Sequence, residues 1–505
     1  MILKYVLMQK RLIFFMMSMI FFFIKTDVNG IEKEIAQKPI VVITCMYNNA
    51  DWVLYNLQSI FMQKYQNFRV IIVDDGSQDE TALIIQKYIE ANNLSDKVTF
   101  IANKKRRRKL ANLYHVLYLC KDDEIVLMLD GDDWFAHPKV FQVINQIYTN
   151  EDIWFTYGQY YNIPPEEAIK WGYSPKGYAT PMPEDQQARH DYRSGPFRFM
   201  HLRTFYGWLF KVVKLKDLLS ERVVGFKGAP FPASNDLAMY YPMIETAHYK
   251  IRFIHEILYL RNLFSEIVGF KVDSKIQRAS AKEIRKKKHY PIAKQPIYRD
   301  LEQYLHKPIA VVVLCEKDTK ALEDFFCSFT KTDSGICHLY LLCYYAIDEN
   351  LIETLEKKFG VTVVPFHYTQ EQSISNVMQE LLNDFSYEHV LFVTTHYQKN
   401  SFLNFQDAVY WLEKTYARSF YTGFQESCVP DQTWIVQLND TVYAWKTLFA
   451  KGMWRTASPL DGVLYRTTDA IKILGDYTAK TISQLTLIFK KDLYSNQSEV
   501  NLAYY

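Results

Sequence analysis

The chain has 505 residues, too many for one ordinary hydrophobic core, so two or three domains are expected. Hydrophobic residues make up 49% and charged residues 23%, with a formal net charge of only +3. That composition excludes a disordered chain and gives no sign of a nucleic-acid partner. Seven scattered cysteines without C-x-x-C spacing form neither a zinc site nor an evident disulfide framework. The 37 tyrosines read as a compositional habit rather than as a mark of sugar-binding faces.

At the N-terminus, Lys4, Lys10 and Arg11 precede the apolar run Leu12 to Ile24, and Val28-Asn29-Gly30 follows. A basic start, a short apolar core and a small-residue end match a signal peptide over residues 1–30. An uncleaved signal anchor stays open, because Tyr5 to Met8 can lengthen the run toward the ~20 residues of a spanning helix. Both readings put the rest of the chain in an exported or lumenal position, and the second attaches it to a membrane. The sequons at Asn93, Asn439 and Asn496 matter only in a eukaryotic lumen.

Regular structure is expected from Pro39. Ile40 to Thr44 reads as a strand, Trp52 to Met62 as a helix, and Arg69 to Val73 as a second strand ending in Asp74-Asp75-Gly76-Ser77. A helix from Glu80 to Ala91 with Asp79 as its cap follows, then a strand at Val98-Thr99-Phe100 and a helix from Leu110 to Leu119. The strand Glu124 to Leu129 then runs into Asp130-Gly131-Asp132-Asp133. Strict alternation of strand and helix predicts an α/β fold, a parallel doubly wound sheet. Ligands of such sheets bind beyond the carboxyl ends of the strands. Three carboxylates there are costly unless a cation offsets them, and hard oxygen ligands suit Mg²⁺ or Mn²⁺. An acidic turn capping the helix near Pro138 is the plainer alternative.

From Ile153 to Tyr206 the periodicity fades and prolines accumulate, which predicts a long irregular binding loop or lid. Trp208 to Leu219 and Leu237 to Ala247 restore regular structure, and Arg285-Lys286-Lys287-Lys288 opens a polar stretch to Lys307 that reads as a linker or surface helix. The strand pattern then begins again about 265 residues downstream, with Ile309 to Leu314, His338 to Cys343, Val361 to Val364 and Glu388 to Val393. Where the first copy has Asp130-Gly131-Asp132 the second has Thr394-Thr395-His396, and Cys343-Tyr344-Tyr345-Ala346 replaces Asp74-Asp75-Gly76-Ser77. The second copy keeps the fold signal and lacks the acidic one.

Three strand ends in order, Thr44-Cys45-Met46-Tyr47-Asn48-Asn49, Val73-Asp74-Asp75-Gly76-Ser77 and Leu129-Asp130-Gly131-Asp132-Asp133, resemble family 2 glycosyltransferases of the GT-A fold. The resemblance covers residues 38–275, leaves 276–307 as a basic connection, and makes 308–505 a degenerate GT-A-like module. It implies an inverting, metal-dependent transfer from a nucleotide-diphosphate sugar, most simply a UDP-sugar, to a glycan or lipid-linked acceptor. Tyr47 would face the base, Asp74 or Asp75 would accept from uracil or ribose, and Asp130 and Asp132 would form the acidic Mn²⁺ or Mg²⁺ motif. Asn112 falls near the family's Ala-Arg-Asn position, although the residues here are Lys109-Leu110-Ala111-Asn112. The basic run Lys104 to Lys109 either meets phosphates or is a solvated loop.

An inverting transfer also needs a base, which the family supplies as a carboxylate opening a later helix. Asp236 in Ser234-Asn235-Asp236-Leu237 stands there, with Asn235 in place of the usual Glu; a helix cap is its bland reading. His201, Arg203 and Trp208, in His201-Leu202-Arg203-Thr204-Phe205-Tyr206-Gly207-Trp208, are expected near the acceptor or the diphosphate, or simply at a packed helix start. Two other classes stay open. A nucleotidyltransferase would want a glycine-rich basic loop after the first strand, which Thr44 to Asp51 lacks; a non-catalytic carbohydrate-binding protein would suit the second module alone.

Overall fold

Strands β1 (Ile40–Met46), β2 (Phe68–Asp74), β3 (Val98–Ala102) and β4 (Ile125–Asp130) pair in parallel in the order β3-β2-β1-β4. Their apolar runs do not alternate because both faces are covered. Along β1, Ile40 and Val42 pack with Val53, Leu57 and Ile85 on one side, and Val41 and Ile43 with Leu113 and Tyr240 on the other. In the computed structural model the described residues are 36–170, 172–264, 274–299, 301, 303, 308–315, 322, 324–326, 337–343, 348–365, 373–394, 405–421, 435–437, 442–446, 460, 463–475, 477–479, 481–495 and 500–504. The signal-like segment, Tyr344 to Ala346, Thr395-His396, Asn439 and Asn496 lie outside them. Among the described residues no helix is long and apolar enough to cross a membrane.

The sheet continues past β4 with β5 (Trp134–Phe135), β6 (Phe155–Ile163), β7 (Arg203–Tyr206) and β8 (Ile251–Asn262), in the full order β3-β2-β1-β4-β7-β6-β8-β5. Two of these correct the expectation of an irregular stretch from Ile153 to Tyr206. β6 and β7 are interior strands, and β6 reads Phe-Thr-Tyr-Gly-Gln-Tyr-Tyr-Asn-Ile, polar in sequence yet mostly buried. Several of its polar groups are held by tertiary hydrogen bonds, for example Thr156 Oγ1 on Thr204 Oγ1 at 2.6 Å, so no alternation was available to mark the strand.

The basic stretch is not a free linker. Helix Ser274–Arg285 docks on the first module, where Glu283 accepts from Ser220 Oγ, Glu221 N and Arg222 N. The buried Arg193, paired with Glu245, also donates to the carbonyls of Ile284 and Lys287.

The second sheet contains β9 (Ile309–Cys315), β10 (Cys337–Cys343), β11 (Thr362–Pro365), β12 (His389–Thr394), β13 (Ser419–Tyr421), β14 (Ile435–Gln437), β15 (Val442–Lys446), β16 (Val463–Arg466) and β17 (Val500–Tyr504). Its order is β11-β10-β9-β12-β16-β13-β17-β15-β14. The four parallel strands are followed by an antiparallel β12–β16 pair, an antiparallel β16–β13 pair and a parallel β13–β17 pair. The first sheet has the same directions at β4–β7, β7–β6 and β6–β8. The two modules share one core cluster, to which Leu113 and Phe210 of the first and Val311 and Leu412 of the second belong. At their junction Tyr118 Oη donates to the Lys414 carbonyl at 2.6 Å, and Arg299 donates to the Glu413 carbonyl at 2.6 Å. Helix Lys109–Leu117 thus has a partner in helix Phe405–Thr415.

Candidate functional site

The carboxyl ends of β1 and β4 meet because Gly131 permits it: a Cβ there would lie 2.7 Å from the Cys45 carbonyl oxygen. A cavity of about 230 Å³ opens beside them, lined among others by Tyr47, Asp75, Asn112, Asp130, Asp132 and Asn262. Most residues expected at a nucleotide site are therefore brought together. Asp74 is the exception. It lines neither this cavity nor the larger one, and its carboxylate accepts from Ser77 N and Ser77 Oγ, so it shapes the turn in which Gly76 has φ +71°.

Asp75 organises the basic loop. Its Oδ1 accepts from Arg107 N at 2.7 Å and Asn103 Nδ2 at 3.2 Å, and its Oδ2 from Arg108 N at 2.9 Å. Arg108 is thereby held at φ 71°, a region that costs a residue with a side chain ~1–3 kcal/mol. Arg106 lies over the Tyr47 ring, 3.7 Å from its centroid. The basic run is neither simply solvated nor simply a phosphate patch: part of it is wrapped round a buried carboxylate.

The three clustered aspartates have separate fates. Asp130 Oδ1 accepts from Lys109 Nζ at 2.6 Å; burial pushes its carboxyl up, but Lys109, His201 and Arg203 together outweigh burial and hold it well below the usual range. Asp133 is turned inward, accepting from Tyr259 Oη at 2.6 Å and Asn262 N at 2.7 Å. Burial, with Asp132 and Asp130 beside it, pushes Asp133 well up. Asp132 remains a lining carboxylate of the cavity. Two buried amides complete the wall. Among the described residues Asn112 Nδ2 and Asn262 Nδ2 are buried donors with no hydrogen-bond partner, a cost that a ligand rich in acceptors would remove. Asn262 carries no sequence motif; only its place at the end of β8 marks it.

A second cavity of about 800 Å³ shares Lys109, Asp130 and Arg261 with the first. Asp236 lines it from the first turn of helix Asn235–Ala247. The helix has Ser234 at its cap in the left-handed region and no side-chain cap bond. Asp236 is therefore not a cap; its Oδ2 accepts from Arg203 at 2.8 Å. Burial raises the Asp236 carboxyl, but Arg203 and Lys109 outweigh it, and the net shift is downward. Arg203 is buried, fixed by the Phe199 carbonyl at 2.6 Å and by the Tyr240 ring. It stands behind the cavity wall rather than in it.

His201 lines the large cavity, stacked on Tyr259 with ring centroids 4.4 Å apart. Burial, then Arg203, pushes its imidazole down to about 3, so it is neutral near pH 7. Trp208 is not brought in. β7 runs antiparallel to β4, so Trp208 falls beside the start of β4, where its N donates to the Asp122 carbonyl and its ring packs on Trp154.

Residues 41–209 match the family model described as Glycosyl transferase family 2. EpsE of Bacillus subtilis, which carries a glycosyltransferase name, is 37% identical over 92 residues, 18% of this chain and 32% of its own. The Escherichia coli UDP-Glc:alpha-D-GlcNAc-diphosphoundecaprenol beta-1,3-glucosyltransferase WfaP is 29% identical over 120 residues, 24% of this chain and 45% of its own. The chain thus spans less than half the length of these curated relatives. A crystal structure of Staphylococcus aureus TarS with UDP-GlcNAc is 17% identical, with a TM-score of 0.34, over 53% of this chain and 70% of that one.

Proposed function

We propose that this chain is a glycosyltransferase that moves a sugar from a nucleotide-diphosphate sugar, a UDP-sugar in the first instance, onto a hydroxyl of a glycan or lipid-linked acceptor. One observation carries the reading: the small and large cavities meet at Lys109, Asp130 and Arg261, with Asp236 in the second. A donor in the first and an acceptor in the second would touch at that junction. Tyr47 and Asp75 hold the nucleoside end, where a base exchanges with Arg106 on the tyrosine ring, and the Asn112 and Asn262 amides take oxygens of the ribose or diphosphate. The match of residues 41–209 supports the transferase class.

The reaction assigned is a single displacement with inversion. The acceptor oxygen bonds to the sugar's anomeric carbon while the bond to the diphosphate breaks, and that electron pair leaves with the nucleotide. Asp236 takes the hydroxyl proton. Arg203 holds this carboxylate ionised and oriented, while Lys109 and Arg261 meet the charge that grows on the leaving diphosphate.

Among the described residues no three His, Cys, Asp or Glu side chains are arranged to hold a metal by themselves. Asp130 and Asp132 line the small cavity together, and Mg²⁺ or Mn²⁺ take one or two carboxylates plus substrate phosphates. Asp132, with Asp130 beside it, would hold such an ion, and the ion would supply Lewis-acid stabilisation of the diphosphate. The second module is read as a copy without catalysis that braces helix Lys109–Leu117, and residues 1–30 as a signal or anchor that places the enzyme at or beyond a membrane. Turnover of a UDP-sugar panel with Mn²⁺, by wild type and Asp236→Asn, tests the transferase reading. Wild-type turnover lost in the variant supports it; equal turnover by both removes Asp236 as base, and no donor use by the wild type removes the reading.

A further inference from the structure

The large cavity carries more positive charge than a neutral acceptor needs. Among the described residues its lining holds four cations, Lys109, Lys176, Arg261 and Arg278, against two carboxylates, Asp130 and Asp236. Both carboxylates are matched from within: Asp130 by Lys109 at 2.6 Å and Asp236 by Arg203 at 2.8 Å. His201, pushed down to about 3 by burial, adds no charge near pH 7. The other three cations stand on three separate elements. Arg261 pairs in register with Asn162 across β8 and β6, Lys176 bridges to Tyr161 on the next residue of β6, and Arg278 stands on helix Ser274–Arg285. Lys176 and Arg278 line the large cavity and not the small one, so a donor diphosphate in the small one leaves their charge unmatched.

The same wall is built to hold a sugar ring. Exposed Tyr173 and Tyr178 offer aromatic faces. Asn162 is buried, lines the cavity, and among the described residues leaves its Oδ1 an acceptor without a hydrogen-bond partner, which a ligand hydroxyl would satisfy. A focused positive field in a cleft raises the local concentration of anions and strengthens hydrogen bonds to them.

We propose that the acceptor is an anionic sugar, its ring against Tyr173 and Tyr178, a hydroxyl on Asn162, and a phosphate or carboxylate group met by Lys176 and Arg278. The proposal rests on the reading of this cavity as the acceptor half. Saturation-transfer NMR on the full chain with UDP bound reads acceptor binding independently of turnover. The probes are the methyl glycosides, 1-phosphates and uronates of glucose, galactose and mannose. At least one anionic probe is expected to bind about tenfold or more tightly than its neutral parent, as one or more hydrogen bonds to charged groups provide. The phosphate and carboxylate arms distinguish the two sources of charge. Lys176→Ser with Arg278→Ser should erase that preference at unchanged melting temperature, and Lys176→Arg with Arg278→Lys should retain it. Neutral probes binding as tightly as anionic ones, no anionic probe binding, or a preference that survives the serine pair would overturn the proposal. Anionic binding without any use of UDP-sugars would uphold it and count against the transferase reading alone.

Discussion

β4 and β12 occupy the same place in two sheets whose strands follow the same order and directions over seven positions. Both are six-residue strands buried over their first five residues, Ile-Val-Leu-Met-Leu before Asp130 and His-Val-Leu-Phe-Val before Thr394. The buried parts differ little in what they ask of the fold. Apart from the buried His389, which pairs with Glu413, only the final residue and those after it differ in chemistry, a carboxylate cluster in one case and Thr394-Thr395-His396 in the other. The apolar run places a strand in the centre of a sheet; a few polar residues beyond its end decide whether a charged ligand can bind there.

The sharpest way to break this contrast is at Asp236, the proposed base. Asp236→Asn should lower the transfer rate about 10²–10⁴-fold, with UDP affinity unchanged by calorimetry. The small cavity comes next. Asp75→Ala frees Arg107 N, Arg108 N and Asn103 together, so amide exchange over residues 103–108 should rise and UDP should bind about tenfold more weakly. A pH profile sharpens the role of Arg203. Because Arg203 and Lys109 hold Asp236 below an ordinary aspartate, its acid limb in kcat/KM should lie below that of an ordinary aspartate. Arg203→Met should move that limb upward, whereas a purely packing role would leave its position unchanged.

The smallest effect belongs to the junction with the second module. Burial, with Lys211 nearby, pushes the Lys414 ammonium down to about 7 from its usual 10.5. The unfolded chain then binds more protons between these values, so stability should rise with pH from about 7 toward 10.5. Lys414→Met should flatten that rise and stabilise the chain at pH 7 by about 1–3 kcal/mol, read by thermal melting across pH.

Much of this architecture was legible in the sequence where one force acted alone. The parallel strands of both sheets showed because burial on two faces demands uninterrupted apolar runs, and Asp130-Gly131-Asp132 showed because such a cluster has few other reasons to exist. β6 and β7 were missed because tertiary hydrogen bonds, as between Thr156 and Thr204, satisfy polar residues in a buried strand. Asp74 and Asp75 could not be separated by pattern, since their opposite directions depend on Ser77 and on a loop 30 residues away. Trp208 was misplaced for a similar reason: adjacency in sequence to Arg203 hid a strand that carries it to the other end of the sheet. Asn262 had no signal at all, because its role comes from position in β8.

The central claim, that nucleotide and cation are taken at the β4 end and not at the β12 end, is tested most directly by calorimetric titration of UDP with and without Mn²⁺. The titration compares wild type, Asp132→Ala and Thr394→Asp. The account predicts one binding site per chain in the wild type, strengthened by Mn²⁺, with that strengthening lost in Asp132→Ala and unchanged in Thr394→Asp. Mn²⁺-strengthened binding that persists in Asp132→Ala would contradict it.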